Sequence, residues 1–525
     1  MYLPLPTPEE MSKWDRQAME EVGILPEILM ENASREALNV IKYRFDDFKG
    51  KSALVFAGSG NNGGDAFALA RHLCNHDVKV MILHSKRLKE YSGSAGYHLS
   101  LVQSMDIPLM YLHEYNLDFL KGVDIIVDGL LGTGFSGRLK DEYIQWIKAI
   151  NKLAEKSYVI SLDIPSGIDG ITGKPGPVAV RADDTITFEE AKLGLFQPPA
   201  REYVGCLAVG KIGIPKQIKK DNPPQHFGLT ADILGLMSFP RKTMHKGDGG
   251  HVLVIGGSQA LSGAAVLTAL GALRSGAGLV TIACPAEIAA EIRSGWPEIM
   301  VLPLGKGVYW QEELVGSLKP AMKRFDSVIV GPGMGRNEEA AGFIRAYVRD
   351  ITVRTVFDAD ALYYLALDKS LMKGLPRSND LIFTPHPGEM ARFFGVSAQE
   401  INRDRTYFVR EFAAEHKVNL ILKGACTIIA GHGLPLYISP FAAPSLAVGG
   451  AGDVLSGVIG SLMGQGFGPV EAASIGVYWH GLTGRELERK YPFRGNLARE
   501  IADALPDVLA RARQKEDYCC PDSLV

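Results

Sequence analysis

At 525 residues the chain exceeds what one hydrophobic core organises, so two or more domains are expected. Apolar residues make up 46% and charged residues 22%, the balance of a soluble globular protein. The formal net charge of -3 supplies no basic field, which excludes nucleic acid and anionic membrane as general partners.

The chain opens on "MYLPLPTPEEMSKWDRQAME", which lacks the basic-then-apolar order of a signal peptide. Thr7 as N-cap, Pro8 at the first helical position and Glu10 three residues after the cap predict a helix entry with a capping box. Apolar runs then alternate with helical segments: "SALVFAG", "VKVMILH", "VDIIVDGLLGTG", "SYVISLDIPSGID" and "DDTITFEE". That alternation predicts a mostly parallel sheet covered on both faces, with functional loops at the carboxyl ends of its strands. From Ile214 to Thr243 the pattern weakens into a linker-like stretch, part of which packs on the second domain. Strand–loop alternation restarts at "HVLVIGGSQALSGAAVLTALGALRSGAG", whose apolar stretch from Gly263 to Cys284 reads as a helix and a strand, not a membrane span. Two different α/β domains are expected, residues 1–222 and 226–515, with no obvious repeat between them. The six cysteines (Cys74, Cys206, Cys284, Cys426, Cys519, Cys520) show no metal-type spacing and predict a reducing, cytoplasmic setting.

Three loops of the first half fall where a sheet of this kind places its site: "GSGNNGGD", "DGLLGTGFSGR" and "DIPSGIDG". Gly58, Gly60, Gly63 and Gly64 allow positive φ and close backbone approach, and a helix starting near Ala66 would favour an anion. Asn62, Asp128 and Ser166 could form one oxygen-lined pocket for a monovalent cation, although each alone reads as a turn or cap residue. Gly132 to Arg138 form a second anion-binding turn with Arg138 as a clamp. Asp163 and Lys192 are the ionisable groups suited to proton transfer, and Lys192 reads equally as an exposed strand-end residue.

These three motifs, in this order, resemble the amino-terminal domain of the NAD(P)HX epimerases over most of residues 1–220. The resemblance implies a Rossmann-like three-layer fold and interconversion of the R and S hydrates of NADH and NADPH, which carry a hydroxyl at C6 of the nicotinamide ring. By motif, the hydrate-binding residues would be Asn61, Asn62, Gly63, Gly64, Asp65, Gly132, Thr133, Gly134, Phe135, Ser136, Gly137, Arg138 and Asp163. Asn62, Asp128 and Ser166 would hold potassium, and the choice between Asp163 and Lys192 for proton transfer stays open.

In the second half, "GGAGDVLSGVIGSL" places the amides of Ala451, Gly452 and Asp453 at a helix start, where they stabilise charge on a transferring phosphoryl group. Asp453 is placed to take a proton from an attacking hydroxyl; the plain alternative is a glycine-lined packing site. "LKGACT", "TPHPGE", "GGSQALSGAAVL" and "GPGMG" supply further strand-end loops. An isolated histidine such as His386 is often structural.

This half resembles the ribokinase-like superfamily, whose Gly-X-Gly-Asp signature reads Gly450-Ala451-Gly452-Asp453, and within it the ADP- or ATP-dependent NAD(P)H-hydrate dehydratases. Ala451 stands where many members carry Thr, a swap that removes one hydroxyl contact from a backbone-built anion hole. The resemblance implies phosphorylation of the 6-hydroxyl followed by loss of phosphate, with Asp453 as base. Ala265, Gly335, His386 and Asp453 would touch the hydrate. Lys423, Gly424, Ala425, Cys426, Thr427 and Gly452 would hold the nucleotide, ADP being favoured over ATP, with Mg2+ on its phosphates. Together the two resemblances imply a bifunctional repair enzyme acting on NADHX and NADPHX, expected as a homo-oligomer. The alternatives are a kinase of a small alcohol in the second half and a non-catalytic binding module in the first.

Overall fold

Thr7 and Glu10 close the predicted capping box around the start of α1 (Pro8–Glu20): the Glu10 N–H donates to Thr7 Oγ1 at 3.2 Å, and the Thr7 N–H donates to the Glu10 carboxylate at 2.7 Å. The computed structural model describes residues 2–45, 49–115, 122–135, 138–376 and 380–514. The chain divides between His226 and Phe227 into two α/β units.

Seven parallel strands build the first unit: β1 (Ser52–Ala57), β2 (Lys79–His84), β3 (Leu109–Tyr111), β4 (Ile125–Gly129), β5 (Tyr158–Leu162), β6 (Asp184–Phe188) and β7 (Cys206–Gly210). Their spatial order is β3-β2-β1-β4-β5-β6-β7. Side chains alternate across the sheet, as the strand period requires. Leu54 and Phe56 face Trp146, Ile147 and Ile150 of α5 (Asp141–Leu153, counted after α2 Pro26–Arg44, α3 Asn61–Cys74 and α4 Gly93–Gln103). Val55 and Ala57 face the other way, onto Trp14 of α1, Ala37 and Ile41 of α2, and Phe67 and Leu73 of α3. Helices on both faces complete the three layers expected.

The strand order reverses between β1 and β4, where the departing loops diverge and leave a crevice at the carboxyl ends. Two glycines let those loops meet. A Cβ on Gly58 would lie 1.8 Å from the Leu130 carbonyl oxygen, and one on Gly63 would lie 2.0 Å from the Gly58 carbonyl oxygen. None of Gly58, Gly60, Gly63 and Gly64 has a left-handed backbone, so their role is close packing and not the positive φ expected. The helix also begins earlier than expected, at Asn61 with Gly60 as N-cap instead of near Ala66. "NNGGD" is therefore the opening of α3 itself.

The stretch read as a linker is structured. It contains a helix (Lys216–Asp221), a strand (His226–Leu229) and a 3-10 turn (Ala231–Leu236), and Leu229, Ile233 and Leu234 enter the second core.

In the second unit β8 (His251–Ile255), β9 (Leu279–Pro285), β10 (Met300–Leu304), β11 (Ser327–Val330), β12 (Arg354–Phe357), β13 (Leu381–Phe383) and β14 (Asn419–Leu422) are parallel. β15 (Ile428–Ala430) and β16 (Leu436–Ile438) extend the sheet antiparallel beyond β14. Among β8 to β16 the spatial order is β16-β15-β14-β13-β12-β11-β8-β9-β10, so the seven parallel strands repeat the order of the first sheet. No sequence repeat announced this. The closest helix pair is α6 (Ser262–Arg274) against α8 (Ala451–Gly464, following α7 Pro387–Phe394), which cross through Gly271 and Gly457. Among the described residues no helix is long and apolar enough to cross a membrane.

Candidate active sites

In the first unit a cavity of about 560 Å³ opens at the strand-order reversal. The opening of α3 supplies Asn61, Asn62 and Asp65; the loop after β4 supplies Gly132 to Phe135; Asp163 and Lys192 follow β5 and β6. Gly63 and Gly64 pack behind this wall, Arg138 is exposed and outside it, and Ser136 and Gly137 lie outside the described residues. Lys192 is buried, against the exposed alternative, and its Nζ lies 2.6 Å from Asp163 Oδ1. The ammonium also donates to Thr187 Oγ1 at 3.0 Å and to the Phe188 carbonyl at 2.8 Å. Asp163 holds a left-handed backbone, φ 64°, a conformation Asp tolerates at a cost. Its Oδ2 accepts the Thr133 N–H at 3.1 Å, which ties the second glycine loop to the ion pair.

Asn62 donates its amide to the Leu131 carbonyl at 2.8 Å and the Leu162 carbonyl at 3.1 Å, and its buried Oδ1 has no hydrogen-bond partner among the described residues. Beside it Ser166 Oγ accepts the Leu131 N–H at 2.9 Å and donates to Asp128 Oδ1 at 2.6 Å. Asp128 further accepts Leu130 N–H, Ser161 Oγ and Ser166 N–H. Burial raises the Asp128 carboxyl, against the pull of those four donors. The three predicted residues thus belong to one oxygen-rich network, and Asn62 Oδ1 is the acceptor in it still free for a cation.

In the second unit Asp453 stands in the first turn of α8, whose N-cap Gly450 takes φ 93°. Burial, reinforced by Asp358, Asp360 and Glu389 and opposed by Lys423, lifts the Asp453 carboxyl to about 7. Lys423 Nζ lies 2.6 Å from Asp358 Oδ1, and Ser456 Oγ donates to Asp358 Oδ2 at 2.6 Å. Burial works against the Lys423 ammonium, but Asp358, Glu389 and Asp453 outweigh it and hold its pKa above the usual value. A Cβ on Gly452 would sit 3.3 Å from that ammonium, so glycine keeps the approach open. Burial also lifts Glu389 to about 7.

The other predicted residues divide. His386 caps α7: its Nδ1 accepts the Gly388 and Glu389 amides at 3.0 and 3.3 Å, while its N–H donates to Glu389. Burial and then Lys423 lower the imidazole pKa, in keeping with a ring nitrogen that must stay an acceptor. Gly335, φ 85°, donates its amide to Asp360 Oδ2 at 3.0 Å. Ala265 is fully buried in the first turn of α6, its methyl against Gly256 and Gly257. In "LKGACT" Gly424 and Ala425 are exposed, whereas Cys426 and Thr427 are buried.

The full chain is 34% identical to a bifunctional NAD(P)H-hydrate repair enzyme of Dictyoglomus turgidum, over 96% of this chain and 97% of that protein. The chain belongs to the family of bifunctional NAD(P)H-hydrate repair enzymes. A Moorella thermoacetica member is 36% identical over 97% of each chain, and an Escherichia coli member 32% over 95% of this chain and 93% of its own. Two family models divide the length: residues 26–194 match the YjeF-related protein N-terminus and residues 252–507 match NAD(P)H-hydrate dehydratase. An ADP/ATP-dependent NAD(P)H-hydrate dehydratase from Bacillus subtilis is 27% identical, covering 54% of this chain and 97% of its own at a TM-score of 0.44.

Three residues at these sites escaped sequence reading. Asp15 lines the first cavity from α1. Asp358 holds Lys423 from the end of β12. Arg405 lies buried under "LKGACT" and donates to the Leu422 and Lys423 carbonyls at 3.0 and 3.3 Å, burial lowering its pKa to about 10. The "FDAD" motif was a usable signal for Asp358; Asp15 sits on an ordinary amphipathic helix and Arg405 opens the helix Arg405–His416, and neither stretch carries one.

Proposed function

We propose that the first unit epimerises the C6 hydrates of NADH and NADPH, and that the second dehydrates the S form to NADH or NADPH using ADP or ATP. The observation that carries the reading is the recurrence, at the carboxyl strand ends of each unit, of a Lys–Asp pair, buried in the first and with a half-buried Lys423 on a buried Asp358 in the second, beside the start of a long helix. Helix starts favour anions such as the diphosphate and phosphoryl groups of these substrates, and the pairs supply fixed charge. Epimerisation lets a stereospecific dehydratase consume both epimers.

In the first unit the Asn61–Asp65 helix start and the Gly132–Phe135 turn hold the hydrate, with Ser136, Gly137 and Arg138 completing the motif. Proton transfer to the hydrate ring falls to the Asp163–Lys192 pair. Asn62, Asp128 and Ser166 would hold potassium, the free Asn62 Oδ1 supporting this; bound there, it would add positive charge beside the hydrate. In the second unit Asp453 takes the 6-hydroxyl proton as its oxygen attacks the terminal phosphorus. The nucleotide leaves with the P–O electron pair, and phosphate then departs from C6 as a proton leaves C5. The Ala451 and Gly452 amides stabilise charge on the transferring group, and Lys423 to Thr427 hold the nucleotide. Ala265 and Gly335 contribute backbone, and His386 shapes the turn that meets the hydrate. Among the described residues no three His, Cys, Asp or Glu are grouped to hold a metal, so Mg2+ would ride on the nucleotide phosphates and keep waters. ADP is the favoured donor, because the loop's lysine is already committed to Asp358 and no second loop cation awaits a γ-phosphate. A reducing, cytoplasmic setting is supported by the thiols of Cys74 and Cys284; Cys519 and Cys520 lie outside the described residues.

The test supplies mixed epimers of NADHX with ADP or ATP to the full chain and follows NADH absorbance. Both epimers should be consumed, ADP giving the higher kcat/KM. A phosphorylated product that accumulates would favour a kinase instead.

A further inference from the structure

Proton transfer in the first cavity has been assigned to Asp163 and Lys192, yet the geometry leaves Asp163 little freedom. One of its oxygens meets the Lys192 ammonium at 2.6 Å and the other accepts the Thr133 amide at 3.1 Å. Both oxygens are occupied in holding the lysine and the glycine loop. Two further carboxylates share the cavity with this pair: Asp65 from α3, and Asp15, which reaches in from α1. Three carboxylates thus share the cavity with one ammonium, and among the described residues Asp163 is the one ion-paired to it. Asp15 Oδ1 is buried and has no hydrogen-bond partner among the described residues. An unpartnered buried carboxylate oxygen is costly, so a cavity-lining group in that state is suited to a ligand's hydroxyl.

Building on the epimerase reading above, we propose that Asp15 is the acid–base residue that exchanges the 6-hydroxyl proton during epimerisation, with the Asp163–Lys192 pair acting on the ring nitrogen. The hydrate centre at C6 bears a hydroxyl and the ring N1, and such a centre inverts by opening and reclosing. Asp15 takes the hydroxyl proton as C6 becomes a carbonyl. The C6–N1 electron pair passes to N1, which receives a proton from Lys192. Reclosure from the other face returns both protons, so no atom or electron is gained or lost. Asp163 in this scheme is a positioning residue.

The charge environment of Asp15 supports the role. Burial raises its carboxyl to about 6, Lys192 opposes this, and Asp163 and Glu189 add to it. Burial, then Asp163 and Asp15, raise Asp65 well above the usual carboxylate range, with Lys192 opposing them. A base with the pKa of Asp15 is ionised at neutral pH and still accepts and returns a proton.

The experiment measures R/S exchange in the full chain by NMR, without nucleotide, for wild type and Asp15→Asn. Exchange should fall about a hundredfold with KM within a few-fold, and the loss of rate expected of wild type below about pH 6 should be absent from the variant. NADH formation from pure S hydrate and ADP should be unchanged, which reports a folded chain. Formate should restore at least about tenfold to Asp15→Ala, where a positional defect would gain nothing. Exchange above a tenth of wild type in Asp15→Asn, or a lost rate with the acid limb intact and no formate rescue, overturns the assignment. Wild-type chain without exchange would instead overturn the epimerase reading itself.

Discussion

Asp453 shows how one residue's surroundings set its chemistry. Its carboxyl rests near 7 because burial and three neighbouring carboxylates outweigh Lys423. A general base acts in its ionised form, so kcat/KM for dehydration should rise with pH through about 7 and level off above it. Asp453→Asn should remove that limb and lower NADH formation by about 10²–10⁴-fold while R/S exchange continues; loss of both in a folded chain would refute separate sites. The Lys423–Asp358 pair makes a stability claim. Lys423→Met leaves Asp358 buried without its cation, which should cost about 3–5 kcal/mol in denaturant unfolding, and Asp358→Asn added to it should recover part of the loss. Asp453 and Lys423 were legible in sequence because Gly-X-Gly-Asp and "LKG" constrain both backbone and side chain. Asp15 was not: "KWDRQ" reads as a solvated helix face until the fold shows what that face covers.

Among the helices, entries and crossings govern how the sites are held. The capping box of α1 holds the helix that bears Asp15, so Thr7→Ala should cost about 1 kcal/mol and slow R/S exchange more than dehydration. The crossing of α6 and α8 depends on missing side chains. A Cβ on Gly457 would lie 2.0 Å from the Thr268 carbonyl oxygen, so Gly457→Ala must push the helices apart. We expect a loss of about 1–3 kcal/mol and, because α8 carries Asp453, a fall in dehydration, read by calorimetry and NADH formation. Strand existence and order of occurrence followed from apolar runs bounded by glycine loops. The start of α3 did not, because glycines that look like a flexible turn are here the price of packing β1's exit against β4's. Nor did the structure of residues 216–236, where short apolar groups are separated by prolines and lysines and burial orders them, Ile218 in the first core and Leu229, Ile233 and Leu234 in the second.

Taken as one chain, a protein with two sites predicts a kinetic signature. With mixed epimers the full chain should run to completion, whereas the Lys192→Met chain should stall once the S form is spent, apart from slow uncatalysed exchange. Equal rates would remove the epimerase role.

The repeated strand order bears on synthesis at the ribosome. In each sheet the first parallel strand made lies inside the parallel set and the later ones add on both sides, so neither parallel set is complete until its last strand emerges. For the first unit that strand is β7, ending at Gly210, well before the second unit's β8 begins at His251. The amino-terminal sheet can therefore close while every parallel strand of the second remains unmade. Sequential emergence keeps two sheets of identical order from exchanging strands at the moment when both would be open.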